Sequence, residues 1–125
     1  MKRIFQLLIG LVGLFNVGMG VAFLLRPAEM AAKFFLTPHG SQGLASIRAD
    51  FSAFFLVGGL FALLGAVRAD PAPLRVPALL LSIALLGRTV SLVLDGVAAT
   101  AFQPMLAEAV MILILVGGMQ AFRRG

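Results

Sequence analysis

The sequence has no cysteine, no tryptophan and no tyrosine, and its single histidine is His39. The absence of cysteine excludes a disulfide framework, a thiolate nucleophile and a thiolate metal site. One histidine cannot form a multi-histidine metal or haem site within one chain, so we expect no metal and no cofactor. Phenylalanine is the only aromatic residue left to contact lipid or ligand, because the usual interfacial belt of tryptophan and tyrosine is missing.

Charged residues are also scarce. They make up 12% of the 125 residues against 61% for hydrophobic residues, and the mean hydropathy is +1.07. A water-soluble domain of this size cannot hide so much apolar surface, because a small body has a large surface for its volume. The composition predicts one domain, residues 1–125, in a polytopic membrane protein. The net charge of +5 does not indicate nucleic acid binding, since the basic residues are spread along the chain without a nucleic-acid motif.

Four apolar segments are long enough to cross a bilayer, which takes about 20 helical residues. They cover about residues 4–25, 44–67, 76–95 and 102–122. A shorter amphipathic segment at about 28–36 is predicted to lie at the membrane interface. Pro71 and Pro73 stop the second span and favour an antiparallel hairpin. The predicted fold class is all-α, an integral-membrane antiparallel four-helix bundle with a short interfacial helix between spans 1 and 2.

The first apolar segment allows two interpretations. It follows the basic start Met1-Lys2-Arg3, and Gly20-Val21-Ala22 matches the small-residue cleavage site of a signal peptide. The apolar run from Ile4 to Leu25 is 22 residues long, however, whereas the apolar core of a signal peptide has about 7–15. We therefore predict an uncleaved membrane-spanning helix.

Basic residues are unevenly divided between the two sides of the membrane in this topology. Six of the ten lie near the two termini and in the loop between the second and third spans: Lys2, Arg3, Arg68, Arg75, Arg123 and Arg124. Cytoplasmic loops of membrane proteins carry an excess of lysine and arginine. The distribution therefore predicts that both termini are cytoplasmic and that the short helix lies outside.

Ionisable residues inside the spans are the main functional signal, because a charge in a membrane helix is costly. In the third span Arg88 and Asp95 are seven residues apart, about two helical turns, so they share a face with Ser91 between them. Glu108 lies at a similar depth in the fourth span, and Arg48 lies near the outer end of the second. We predict a polar network in the outer half of the bundle, in which Arg88 faces Glu108, Asp95 or both. Its members are Asn16, Arg48, Arg88, Ser91, Asp95 and Glu108.

Three interpretations of this network are open. Its ion pairs fix only the register of the helices, or they line a ligand pocket, or they belong to a proton or ion path. A conducting path should continue through the membrane, and the charge-free inner half of the spans argues against it. Asp50 lies about 200° around the helix from Arg48, and we assign it to the helix start, where the macrodipole favours an acidic side chain.

Several short motifs carry a family resemblance. They are Arg48-Ala49-Asp50-Phe51, Arg88, Asp95-Gly96, Glu108 and the Leu25-Arg26-Pro27 exit of the first span. In these motifs, and over most of its length, the chain resembles a bacterial four-helix membrane family known as domain of unknown function 4345, which is similar in layout to the DoxX-like small membrane proteins. The resemblance implies a four-helix integral membrane protein of uncharacterised activity, and we expect it in the inner membrane.

Two functions of different classes fit these observations. The first is a membrane protein that binds a lipid, a quinone or another small anionic or amphipathic ligand in its outer polar site. The second is a non-enzymatic subunit or assembly factor that docks a membrane-protein partner or a second copy of itself. Catalysis is not indicated, since Ser52 and Ser91 have no nearby histidine base. An acid/base pair of Asp95 and Glu108 would need one carboxylate kept protonated by burial.

Overall fold

The computed structural model describes residues 1–124, which form five α-helices. The helices are α1 (Lys2–Leu25), α2 (Pro27–Lys33), α3 (Gly40–Arg68), α4 (Pro71–Leu94) and α5 (Phe102–Arg124). All except α2 are long and apolar enough to cross a membrane. The predicted all-α four-helix fold class is confirmed.

The helix boundaries differ from the predicted spans mainly at α4, which begins at Pro71 rather than near residue 76. Prolines are tolerated in the first turn of a helix, because the N–H groups that they lack have no intrahelical partner there. Asp70 precedes this turn and its carboxylate accepts a hydrogen bond from the Ala72 backbone N–H at 3.0 Å. The Pro71 and Pro73 pair therefore begins the third span instead of forming a separate loop.

Helices α1 and α3 pack closely and run antiparallel. At one end of the pair, the Gln6 side-chain amide donates a hydrogen bond to the Ala66 carbonyl at 2.8 Å. Between the ends, a Cβ atom added to Gly59 would lie 2.7 Å from the Val17 nitrogen and 2.8 Å from the Gly13 oxygen. The two backbones are thus nearly in contact, which is the role of small residues between membrane helices.

The four long helices form a ring in which α1 packs on α3, α3 on α4, α4 on α5 and α5 on α1. The short helix α2 packs across the C-terminal end of α1 and the N-terminal end of α3. We call this end of the bundle the α2 end; the loop between α4 and α5 lies there too. The opposite end, called the Arg68 end, carries the α3–α4 turn.

Two apolar clusters fill the bundle interior, one toward each end. The cluster toward the Arg68 end consists of Ile9, Ala62, Ala66, Leu74, Leu81, Leu115 and Phe122. The cluster at the α2 end is aromatic: the ring of Phe23 lies 4.9 Å from Phe51, 5.4 Å from Phe34 and 5.6 Å from Phe55 between ring centres. Large apolar side chains also cover the outside of the long helices, as on the 71% exposed Leu113. An apolar exterior of this kind fits a lipid environment and not water.

Candidate functional site

The centre of the candidate site is an ion pair between Arg88 on α4 and Glu108 on α5. Arg88 Nε donates to Glu108 Oε1 at 2.9 Å. The Glu108 side chain is 10% exposed and the Arg88 side chain is 36% exposed. Of the interactions expected from the sequence, the pairing of Arg88 with Glu108 is present.

The antiparallel arrangement of α4 and α5 explains this pairing. Arg88 lies six residues before the last residue of α4, and Glu108 lies six residues after the first residue of α5. At 1.5 Å per residue, both are about 9 Å from the α2 end of their helices. Their equal depth places a cation opposite a carboxylate across the α4–α5 contact.

Most hydrogen-bonding groups of Arg88 are left for other partners. An arginine side chain has five N–H donors, of which four are on Nη1 and Nη2. Within residues 1–124, the hydrogen bond recorded for the Arg88 side chain is the one from Nε. Glu108 therefore fixes the orientation of the guanidinium group through one nitrogen and leaves its outer edge available.

Three cavities at the α2 end have Arg88 in their walls. The loop cavity, about 840 Å³, also borders Ser91 and Asp95. The cleft, about 340 Å³, is lined by Lys33 and Glu108 together with aromatic and methionine side chains. The aromatic cavity, about 300 Å³, brings Asp50 and several phenylalanines to the same ion pair. Arg88 therefore borders all three cavities.

Arg48 does not join this group. Its Nε donates to the Leu24 carbonyl of α1 at 2.9 Å, and Leu24 is among the last four residues of α1, whose carbonyls lack intrahelical partners. A cation at a helix C-terminus is also favoured by the helix dipole. The face of α3 that carries Arg48, Ser52 and Gly59 is the face that packs on α1, so Arg48 caps α1 and lies away from α4 and α5.

Asp95 and Ser91 are close to Arg88 along α4 but are not bonded to it. Asp95 is the exposed C-cap residue of α4, and in the described part of the chain the ion pair of Arg88 is with Glu108. Two helical turns separate Arg88 from Asp95, about 10 Å along the axis, and the Arg88 side chain turns to Glu108 on α5 instead. Both Asp95 and Ser91 border the loop cavity instead.

Asn16 lies at the floor of the site. It is 4% exposed, and its Nδ2 donates to the Val12 carbonyl at 2.8 Å and to Met111 Sδ at 3.6 Å. Met111 lines the cleft. Asn16 therefore supports a wall of the cleft from beneath and links α1 to α5.

Several residues of the site were not predicted from the sequence. Asp50 was assigned to the helix start, yet it borders the aromatic cavity with Arg88 and Glu108. Lys33 of α2 and the ring of Phe34 reach the cleft. A signal for Asp50 was present: its position about 200° from Arg48 places it away from α1, on the side of α3 that faces α4.

Apolar walls surround the few polar side chains of the site. In residues 1–124 there is no group of three or more histidine, cysteine, aspartate or glutamate side chains that could hold a metal ion. The acidic groups near Arg88 are instead interleaved with a guanidinium group and aromatic rings. This combination of apolar walls and a few polar groups is typical of small-molecule sites.

Comparisons with known proteins identify the family. Curated proteins and solved structures give no significant match. A family profile matches residues 4–118, a range that includes α2, α3 and α4, most of α1 and α5, and both residues of the ion pair. With its four apolar helices, this is a small protein with the character of a multi-pass membrane protein, and the chain belongs to the family described as domain of unknown function (DUF4345).

Proposed function

We propose that the protein binds an amphipathic small molecule, a lipid or a quinone-like compound, at the α2 end of the bundle. The observation that supports this function is the state of Arg88: its orientation is fixed by Glu108 through Nε, while the side chain lines three cavities. A carboxylate, phosphate or carbonyl oxygen of the ligand accepts hydrogen bonds from Nη1 and Nη2. Arginine is suited to such oxygens because its planar fork matches their geometry.

The apolar part of the ligand lies against the aromatic walls. Phe34, Phe54 and Phe55 border both the cleft and the aromatic cavity, beside the ion pair. The cleft volume of about 340 Å³ falls within the usual range of small-molecule pockets, about 300–1,000 Å³. Apolar walls lower the local dielectric constant, which strengthens hydrogen bonds between Arg88 and the ligand.

The exposure of Arg88 favours a binding role over a purely structural ion pair. A pair that only fixes helix register has its donors satisfied within the bundle, since unpaired buried groups are costly. Glu108 is almost fully buried, as such a pair requires, but the Arg88 side chain is 36% exposed and borders open spaces. The ligand hypothesis gives these donors a defined partner, whereas under the register hypothesis they bond only to water or lipid headgroups.

Native mass spectrometry tests the function directly. The wild-type protein purified from membranes should carry a bound small molecule that survives removal of detergent. The double variant Arg88→Leu/Glu108→Leu should lose that molecule, because the hydrogen-bond donors are gone while no unpaired charge is left behind. The matched control is Arg26→Leu/Glu29→Leu, which removes a second ion pair, whose side chains are 73% and 70% exposed.

Three results of this experiment would count against the proposal. In the first, the wild-type protein carries no bound small molecule. In the second, the Arg88→Leu/Glu108→Leu variant retains the molecule. In the third, both double variants lose the molecule to the same extent. Recovery of a stoichiometric protein partner in place of a small molecule would instead support the assembly-factor function.

We further propose that the protein lies in a bacterial inner membrane with both termini cytoplasmic and the α2 end outside. The six basic residues that support this orientation all lie within the first or last five residues of the long helices, at the Arg68 end. The cavities then open toward the outer face, where extracytoplasmic lipids and solutes reach them.

Cysteine labelling checks the orientation, since the natural chain contributes no thiol background. In intact cells a membrane-impermeant maleimide should label the Val97→Cys variant, because Val97 lies in the exposed α4–α5 loop. The Lys2→Cys variant should be labelled only after cell lysis. The reverse pattern would place the cavities on the cytoplasmic side.

A further inference from the structure

A fourth cavity lies outside the site described above, as a groove between α1 and α5. It measures about 500 Å³ and is bordered by Leu8 and Leu11 on α1 and by Val110 and Ile114 on α5. The two helices touch near the Arg68 end, where Phe5 lies against Gly117 and Ile9 against Gly118. Toward the α2 end they leave the groove between them. Its walls are almost entirely apolar, and it faces the surroundings of the bundle.

The groove is continuous with the cleft. Four residues border both spaces: Phe15 on α1 and Gln103, Ala107 and Met111 on α5. The combined path leads from the Arg88–Glu108 pair down the outside of the bundle. Along α5, the groove extends from Gln103 to Ile114, eleven residues, or about 16 Å at 1.5 Å per residue.

We infer that the ligand is a single-chain anionic amphiphile, whose carboxylate or phosphate head binds Arg88 and whose hydrocarbon chain lies in the α1–α5 groove. The inference rests on the proposed function and adds the ligand class and its direction. The cleft has two cations, Lys33 and Arg88, and one carboxylate, Glu108, while Asp50 borders the adjoining aromatic cavity. An anionic head in the cleft therefore meets two cations. The groove is apolar, about 500 Å³ in volume and open to the side of the bundle, so a chain can enter it from the bilayer.

The groove determines where the chain lies more than how tightly the ligand binds. A hydrocarbon chain that leaves the bilayer for the groove moves between two apolar surroundings, so it gains little from the hydrophobic effect. The head contributes most of the affinity, because it exchanges hydrogen bonds with water for charge-assisted hydrogen bonds to Arg88. A test of the inference must therefore measure the position of the chain.

The absence of tryptophan and tyrosine allows one introduced tryptophan to report that position. The reporter is Phe15→Trp, at the junction of the cleft and the groove. The control is Leu60→Trp on α3, outside these cavities. Because Gly59 lies against Val17, Leu60 is at nearly the same depth as Phe15, and the two natural side chains are 56% and 53% exposed.

The probe is stearate that carries a nitroxide quencher near the middle of its chain, added to phosphatidylcholine nanodiscs containing the protein. At equal probe content, fluorescence of the Phe15→Trp variant should be quenched several-fold more strongly than that of Leu60→Trp. Unlabelled stearate should abolish the excess quenching. Adding Ala107→Phe, which obstructs the junction, should also abolish it, whereas Ala53→Phe on an exposed part of α3 should not.

Three results would overturn the inference. Equal quenching of the two reporters would show that the chain has no preferred position. Weaker quenching at Phe15→Trp would show that a protein helix covers the groove. Excess quenching that persists in the Arg88→Leu/Glu108→Leu background would show that the hydrocarbon chain lies in the groove whether or not Arg88 binds the head. If any of these occurs while mass spectrometry still finds a small molecule that depends on Arg88, the ligand class is wrong but the proposed function stands.

Discussion

Replacing Arg88 with leucine is expected to lower the free energy of unfolding by about 3 kcal/mol, because the nearly buried Glu108 carboxylate loses its cation. The converse change, Glu108→Leu, should cost less, about 1–2 kcal/mol. The Arg88 side chain is 36% exposed, and its long apolar stem allows the charged head to move toward water. The double variant should lose less than about 1 kcal/mol, since two apolar side chains of similar size leave no buried charge.

Denaturant unfolding in detergent micelles, followed by the helical circular dichroism signal, measures these three values. Together they form a double-mutant cycle, whose departure from additivity is the coupling energy of the pair. The same cycle on Arg26 and Glu29, an exposed pair within one turn, should give a coupling of only a few tenths of a kcal/mol. If the effects of Arg88→Leu and Glu108→Leu are additive, the two side chains are not energetically linked.

A comparable loss of stability is expected for Gly59→Ala, about 2–3 kcal/mol. The added methyl group would lie less than 3 Å from backbone atoms of Val17 and Gly13, which cannot rotate away as a flexible side chain would. The helices α1 and α3 must then separate along their length, and their contact on both sides of Gly59 is weakened. Gly59→Leu should prevent the bundle from forming.

Gly10→Ala is the matched control for Gly59. A Cβ atom added at Gly10 meets nothing within 4 Å, so the only effect is the better helix propensity of alanine, worth up to about 1 kcal/mol in favour of folding. The same unfolding experiment compares the two variants. Equal effects of the two substitutions would show that the close approach of α1 and α3 does not determine the stability of the bundle.

Features that depend on a single helix, such as its length and the depth of a residue within it, could be predicted from the sequence. Apolar length alone identifies the four long helices, and helix rise alone places Arg88 and Glu108 at equal depth. The start of α4 was predicted too far along the chain, because Pro71 and Pro73 were treated as breakers. With Asp70 as N-cap, the same prolines belong to the first helical turn.

The parts of the site that depend on which helices are neighbours could not be predicted. Arg48 was predicted to join the network, but the face of α3 that carries it packs on α1, so Arg48 donates to the Leu24 carbonyl and does not approach Arg88. Asp50, on the far side of α3, borders the aromatic cavity instead. Lys33 reaches the cleft only because α2 folds back over the bundle, which its amphipathic pattern did not specify.

The measurement that tests the central claim most directly is a density map of the protein purified from its native membrane into lipid nanodiscs. The claim is that Arg88, held by Glu108, presents its terminal nitrogens to the polar end of a ligand. The map should show elongated density that starts within hydrogen-bonding distance of Arg88 Nη1 or Nη2 and continues past Phe15. A cleft closed by the rings of Phe34 and Phe54, with Arg88 bonded at every nitrogen to protein groups, would contradict it.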